Sequence, residues 1–124
     1  MNEIAEIKKV FESIIRAADA RRAQDITALH VTEKTILADY FVMMTGTSST
    51  HIRALGDEIE KKVKELHGIY PHHREGVNSS WVLLDYNAIV VHIFLSEARE
   101  MYALERLWGD SGRMDISKLL IGGN

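Results

Sequence analysis

A chain of 124 residues, 46% hydrophobic and 27% charged, has the size and balance of one globular domain around one core. Its formal charge of −3 excludes nucleic-acid binding driven by global charge, and zero cysteines exclude disulfides and thiolate metal sites. The N-terminal MNEIAEIKKVFESII intersperses charges among its apolar residues, unlike a signal peptide, and no window reaches the roughly 18 apolar residues of a membrane span. A soluble, cytoplasmic protein with no membrane partner is expected.

Ile4, Ile7, Phe11, Ile14 and Ala18 recur at helical spacing with charges between them, the pattern of one amphipathic helix. After Ala20-Arg21-Arg22 the period changes. Ile26 to Val31 reads as a short strand and Asp39 to Thr45 as a longer, buried one. Gly46-Thr47-Ser48-Ser49-Thr50 is a turn stocked with helix N-cap residues, and Ile52, Leu55, Ile59, Val63 and Leu66 continue it as a second helix to about His67, where Gly68 is a natural stop. Pro71 to Gly76 reads as a loop. Trp81 to Tyr86 and Ile89 to Leu95 read as paired strands about Asn87, and Glu97 to Trp108 as a third helix. Residues 109–124, with glycines at 109, 112, 122 and 123, read as a loosely held tail after a domain spanning 1–108. Helix, two strands, helix, two strands, helix predicts an α/β fold: a single layered domain, a mixed sheet with flanking helices.

Gly46 to Ser49, between a buried strand and a helix, is the most enzyme-like feature, because N–H groups at a helix start can hold a phosphate. It lacks the lysine and spacing of a P-loop, and a nucleotidyltransferase would add paired acids for magnesium. Asp85 stands alone on its strand face, with Leu83 and Asn87 two residues to either side. Helix capping is the better reading of the turn. Six histidines invite a metal reading, but none stand at ligand spacing and there is no cysteine partner, so no metal site is expected. His92 shares a strand face with Val90 and Phe94 and reads as a hydrogen-bonded, partly buried histidine.

The segment WVLLDYNAIVVHIFLSEAREMYALERLW, Trp81 to Trp108, is the densest in meaning. Alternation puts Trp81, Leu83 and Asp85 on one strand face and Val82, Leu84 and Tyr86 on the other. Both faces carry large apolar groups, so one can pack on helices while the other meets something else, and the apolar face is consistent with a homodimer of the free protein. Between Glu75 and Asp110 six acids face two bases, whereas the rest of the chain holds twelve acids and thirteen bases. An acidic segment of this kind suits a basic protein better than RNA.

Asp39-Tyr40-Phe41-Val42, Gly46-Thr47-Ser48, Glu75-Gly76, Trp81 to Tyr86, Val91-His92-Ile93-Phe94 and Arg99-x-x-Tyr102-x-Leu104-Glu105-x-Leu107-Trp108, in that order, resemble the ribosomal silencing factor family, also called Iojap-like. The likeness runs from the first helix to Trp108. It implies a fold related to nucleotidyltransferases without their catalytic acids, no enzymatic activity and no cofactor. It also implies binding to the large ribosomal subunit through its protein L-fourteen, which keeps the small subunit from joining and lowers translation when nutrients are short. The residues matching the family's characteristic positions are Trp81, Asp85, Tyr86, His92, Tyr102, Leu104, Glu105 and Trp108, and these are the candidate contacts. No sequence-specific nucleic acid is implied. The family usually carries Gly-Asp or a close variant after Asp85-Tyr86, where this chain has Asn87-Ala88, which leaves the type of that turn open. Two other readings stand beside this one: a nucleotidyltransferase-like enzyme using Gly46 to Ser49 for phosphates, and an adaptor for some other basic protein.

Overall fold

The computed structural model describes residues 3–31, 39–78, 80–102 and 112–120. Helix α1 spans Glu3–Ala20 and buries Val10, Phe11, Ile14, Ile15, Ala17 and Ala18 along one stripe, as its apolar spacing requires. Helix α2 spans Ser49–His67, with Ser48 as its N-cap in extended conformation, and its buried stripe is Ile52, Leu55, Gly56, Ile59 and Val63. Ser48 Oγ accepts from His51 N at 3.0 Å, so the hydroxyl satisfies a helix-start amide. Gly68 ends α2 at φ 68, its N–H donating to the Lys64 carbonyl. The two helices pack against each other, with Ser13 Oγ and His67 Nε2 2.8 Å apart across the seam.

Five strands form one mixed sheet: β1 (Gln24–His30), β2 (Tyr40–Gly46), β3 (His73–Asn78), β4 (Trp81–Asp85) and β5 (Ile89–Leu95), in the order β1-β2-β5-β4-β3. β2 and β5 run parallel and every other pair antiparallel. A parallel pair needs a long crossover, here built from α2, β3 and β4. Residues 73–76, expected in a loop, are instead paired as edge strand β3, with Arg74 opposite Leu84 and Glu75 opposite Leu83. The sequence HREGVN has no apolar alternation because an edge strand facing water needs none.

The sheet has two unlike faces. Val42, Met44, Val82, Leu84, Tyr86, Val91 and Ile93 point toward α1 and α2 and share one core with them. Leu29, Val31, Met43 and Phe94 form a second, smaller cluster on the opposite face, under Ala98 of helix α3 (Ser96–Tyr102). Each fully buried aliphatic side chain contributes about 1.5–3 kcal/mol relative to exposure, so the helix-covered face carries most of the stability. The remainder of the third helix expected to Trp108 lies outside the described residues.

Within the segment read as a tail, residues 112–114 run beside β1, and Ser117–Leu119 packs on α1. His30 N donates to the Gly112 carbonyl and Met114 N to that of Ala28, and Ile116 is buried in the main core. Gly112 stands at φ 81, and a Cβ there would lie 2.3 Å from the His30 carbonyl oxygen.

Candidate functional site

The face of the sheet turned away from α1 and α2 gathers three of the candidate residues. Strand register sets them in rows across the sheet: Trp81 beside Phe94 and then Thr45, Leu83 beside His92 and then Met43, Asp85 beside Val90 and then Phe41. Trp81 lies 5.1 Å from Phe94 and 5.8 Å from His92, centroid to centroid, and Phe41 meets His92 edge-on at 5.7 Å. Trp81 Nε1 donates to His92 Nδ1 at 3.3 Å, which places the imidazole proton on Nε2. His92 is buried, and desolvation lowers its pKa to about 4. It is therefore a neutral acceptor at ordinary pH, as its position on an apolar strand face suggested. Trp81, Leu83, Asp85, Val90 and Phe41 are only half-buried, so an aromatic and aliphatic surface remains in part open to solvent.

Asp85 shapes the end of that surface. Its Oδ1 accepts from Asn87 N at 2.8 Å, and Tyr86 N donates to Ile89 O, closing a tight hairpin. Asn87 takes φ 70 while Ala88 does not enter the left-handed region, so the turn places its one unusual demand on the residue that tolerates it. Asn87 Nδ2 donates to His72 Nε2 at 3.0 Å, tying the hairpin to the chain entering β3. Tyr86 points the other way, into the core beneath the helices. Its hydroxyl is enclosed with no hydrogen-bond partner among the described residues, and burial pushes the phenol above its ordinary pKa. Tyr102 is the last described residue of α3, and its side chain, with Leu104, Glu105 and Trp108, lies outside the described residues.

Helix α3 is seated on the same face by Arg99. Nη1 donates to the Asp25 carbonyl at 2.7 Å and to Thr45 Oγ1 at 3.0 Å, and Nη2 donates to Thr27 Oγ1 at 3.0 Å. Both threonines are buried. The Asp25 carbonyl is available because β1 carries a bulge between Gln24 and Thr27, with Asp25 at φ 49. Sequence reasoning placed Arg99 in a motif but not in this contact, and its partners lie too far away along the chain for any local pattern to reveal them.

The Gly46 to Ser49 turn is committed to structure. A Cβ on Gly46 would meet Ile52 Cγ2 at 2.6 Å, so glycine is needed for close packing. Thr47 N donates to His51 Nδ1 and His51 Nε2 donates to the Arg21 carbonyl, which uses both imidazole nitrogens. Among the described residues no group of three histidines or carboxylates could hold a metal ion, and no helix is long and apolar enough to cross a membrane.

Fold and site together define a small α/β protein with a single mixed sheet, one face under two helices and the other partly open and aromatic. The chain belongs to the ribosomal silencing factor family: the family model described as ribosomal silencing factor during starvation matches residues 4–121. It is 36% identical over 110 residues to the ribosomal silencing factor RsfS of Bacillus subtilis, covering 88% of this chain and 92% of that protein. A mouse relative named mitochondrial assembly of ribosomal large subunit protein 1 is 35% identical over 99 residues, 77% of this chain and 42% of that protein. A crystal structure of a protein from Chromobacterium violaceum, 32% identical, superposes with a TM-score of 0.79 over 83% of this chain and 86% of that one.

Proposed function

We propose that this protein represses translation by binding the large ribosomal subunit through its protein L-fourteen and occupying the surface the small subunit needs. The observation that carries the reading is the half-open face of Trp81, Leu83, Val90 and Phe41, in a chain that belongs to the ribosomal silencing factor family. Apolar and aromatic groups left partly exposed on an otherwise well-packed sheet are the usual anchors of a protein interface. The acids concentrated between Glu75 and Asp110 supply a charge that a basic ribosomal protein would complement and RNA would not. Asp85 fixes the hairpin edge of the face, Trp81 and His92 build its aromatic floor, and Tyr102, Leu104, Glu105 and Trp108 are the further candidate contacts in the sequence. Tyr86 supports it from beneath. No bond is made or broken in this mechanism; tight occupancy is enough, and no cofactor takes part. A cytoplasmic protein, homodimeric when free, with the dimer held by this same face, fits the reading.

The test is sedimentation of purified ribosomal subunits in a gradient with and without the protein. Expected is co-sedimentation with large subunits and a smaller fraction of joined ribosomes. Joining that is equally complete with the protein bound overturns steric blockage, and absence from the large-subunit peak overturns the binding itself.

A further inference from the structure

A single short helix does not hold itself in water, so contacts with the sheet decide where the described part of α3, Ser96–Tyr102, lies. Among the described side chains of α3, one contact is apolar, Ala98 on the small cluster of Leu29, Val31, Met43 and Phe94. An apolar contact of one methyl group is non-directional and cannot fix the helix's rotation. The other contact is Arg99, whose planar fork reaches three oxygens on two different strands. Such a fork fixes direction as well as distance, which an ammonium cannot do. The strand side is built to receive it. Asp25 is held at φ 49 inside the β1 bulge, and Thr27 Oγ1 donates to the same Asp25 carbonyl that accepts from Arg99. A non-glycine residue in that region costs free energy, and it persists where surrounding contacts over-determine it.

We infer that Arg99 is a positioning residue for partner binding: by clamping α3 to the bulge of β1 and to Thr45 of β2, it sets the orientation in which α3, with exposed Glu97 and Glu100, meets a basic protein partner. The inference rests on the proposed binding to the large subunit. It adds that affinity depends on three oxygens on β1 and β2 that no partner needs to touch.

The experiment uses the full chain in three forms: wild type, Arg99→Lys, and the pair Thr27→Val with Thr45→Val, which keeps side-chain shape and removes both hydroxyl acceptors. Two quantities are measured on each, affinity for purified large subunits and backbone hydrogen exchange of the free protein. Expected are affinities lower by about tenfold or more in both variants, with faster exchange confined to residues 97–102 and unchanged exchange in β2 and β5. Thr27→Val alone is the milder variant should the pair fail to fold, and it is expected to show the same local exchange. Faster exchange spread evenly over the sheet would reduce Arg99 to a contributor to global stability and overturn the inference. So would unchanged affinity with a loosened α3. Failure of the wild type to bind large subunits would sink the functional reading, while the exchange arm would still report whether the clamp exists.

Discussion

The burial of His92 makes a quantitative statement about acid. A histidine whose pKa falls to about 4 on folding, against 6.5 unfolded, binds its proton more readily in the unfolded chain. Unfolding therefore takes up a proton wherever the pH lies between those values, and the folded state loses stability as pH falls through that window. At about 1.4 kcal/mol for each tenfold change in proton affinity, the whole effect is about 3 kcal/mol, most of it developed between pH 6.5 and pH 4. Above pH 6.5 it is constant. The comparison is with His92→Asn, whose amide oxygen can replace Nδ1 as the acceptor for Trp81 Nε1 and which does not titrate. Urea denaturation followed by circular dichroism at several pH values gives both stabilities. Carboxylates protonate alike in the two proteins and cancel in the difference. Wild type is expected to lose about 3 kcal/mol relative to the variant as pH is lowered from 7 to 4. A difference that stays flat over that range would mean that water reaches the imidazole, and the aromatic floor described above would be wrong.

Tyr86→Phe removes a hydroxyl that is buried without a partner among the described residues, so thermal melting should be unchanged or higher, and a loss above about 1 kcal/mol would reveal a hydrogen bond beyond those described. Gly112→Ala forces a Cβ against the His30 carbonyl at a left-handed residue. It should cost about 1 kcal/mol or more and speed hydrogen exchange at His30 and Met114, the two amides that hold this segment. Trp81→Ala should weaken large-subunit binding by roughly 2 kcal/mol if Trp81 is an anchor, and melting of the same variant tells whether the loss exceeds what unfolding explains.

How much of this could be read beforehand depended on whether the cause was local. Ser48 and Gly68 announce the ends of α2 because a cap is a relation among residues three or four apart. The division of Trp81 to Tyr86 into two faces follows from strand alternation alone, and the parity is as expected. Which face the helices cover was not legible, since both carry large apolar groups and only the topology decides. Strand β3 was hidden because its pairing comes from β4, not from any pattern of its own. The Arg99 clamp was hidden for a deeper reason: its acceptors include a main-chain carbonyl exposed by a bulge, which no side-chain pattern encodes. The glycine at 112 suggested slack, yet it is the residue that allows the chain to press against His30.

The pairing of residues 112–114 with β1 also orders events during synthesis. β1 is made well before residues 112–114, and its bridge to Arg113 waits until they have emerged. β2 likewise waits for β5, its parallel neighbour on the far side of α2, β3 and β4. Contacts this distant along the chain form late and slowly, and an open edge in the meantime invites pairing with another chain. A nascent or truncated form ending before Gly112 would thus leave the His30 N–H and the Ala28 carbonyl without the partners that residues 112–114 supply, and with a tendency to pair elsewhere.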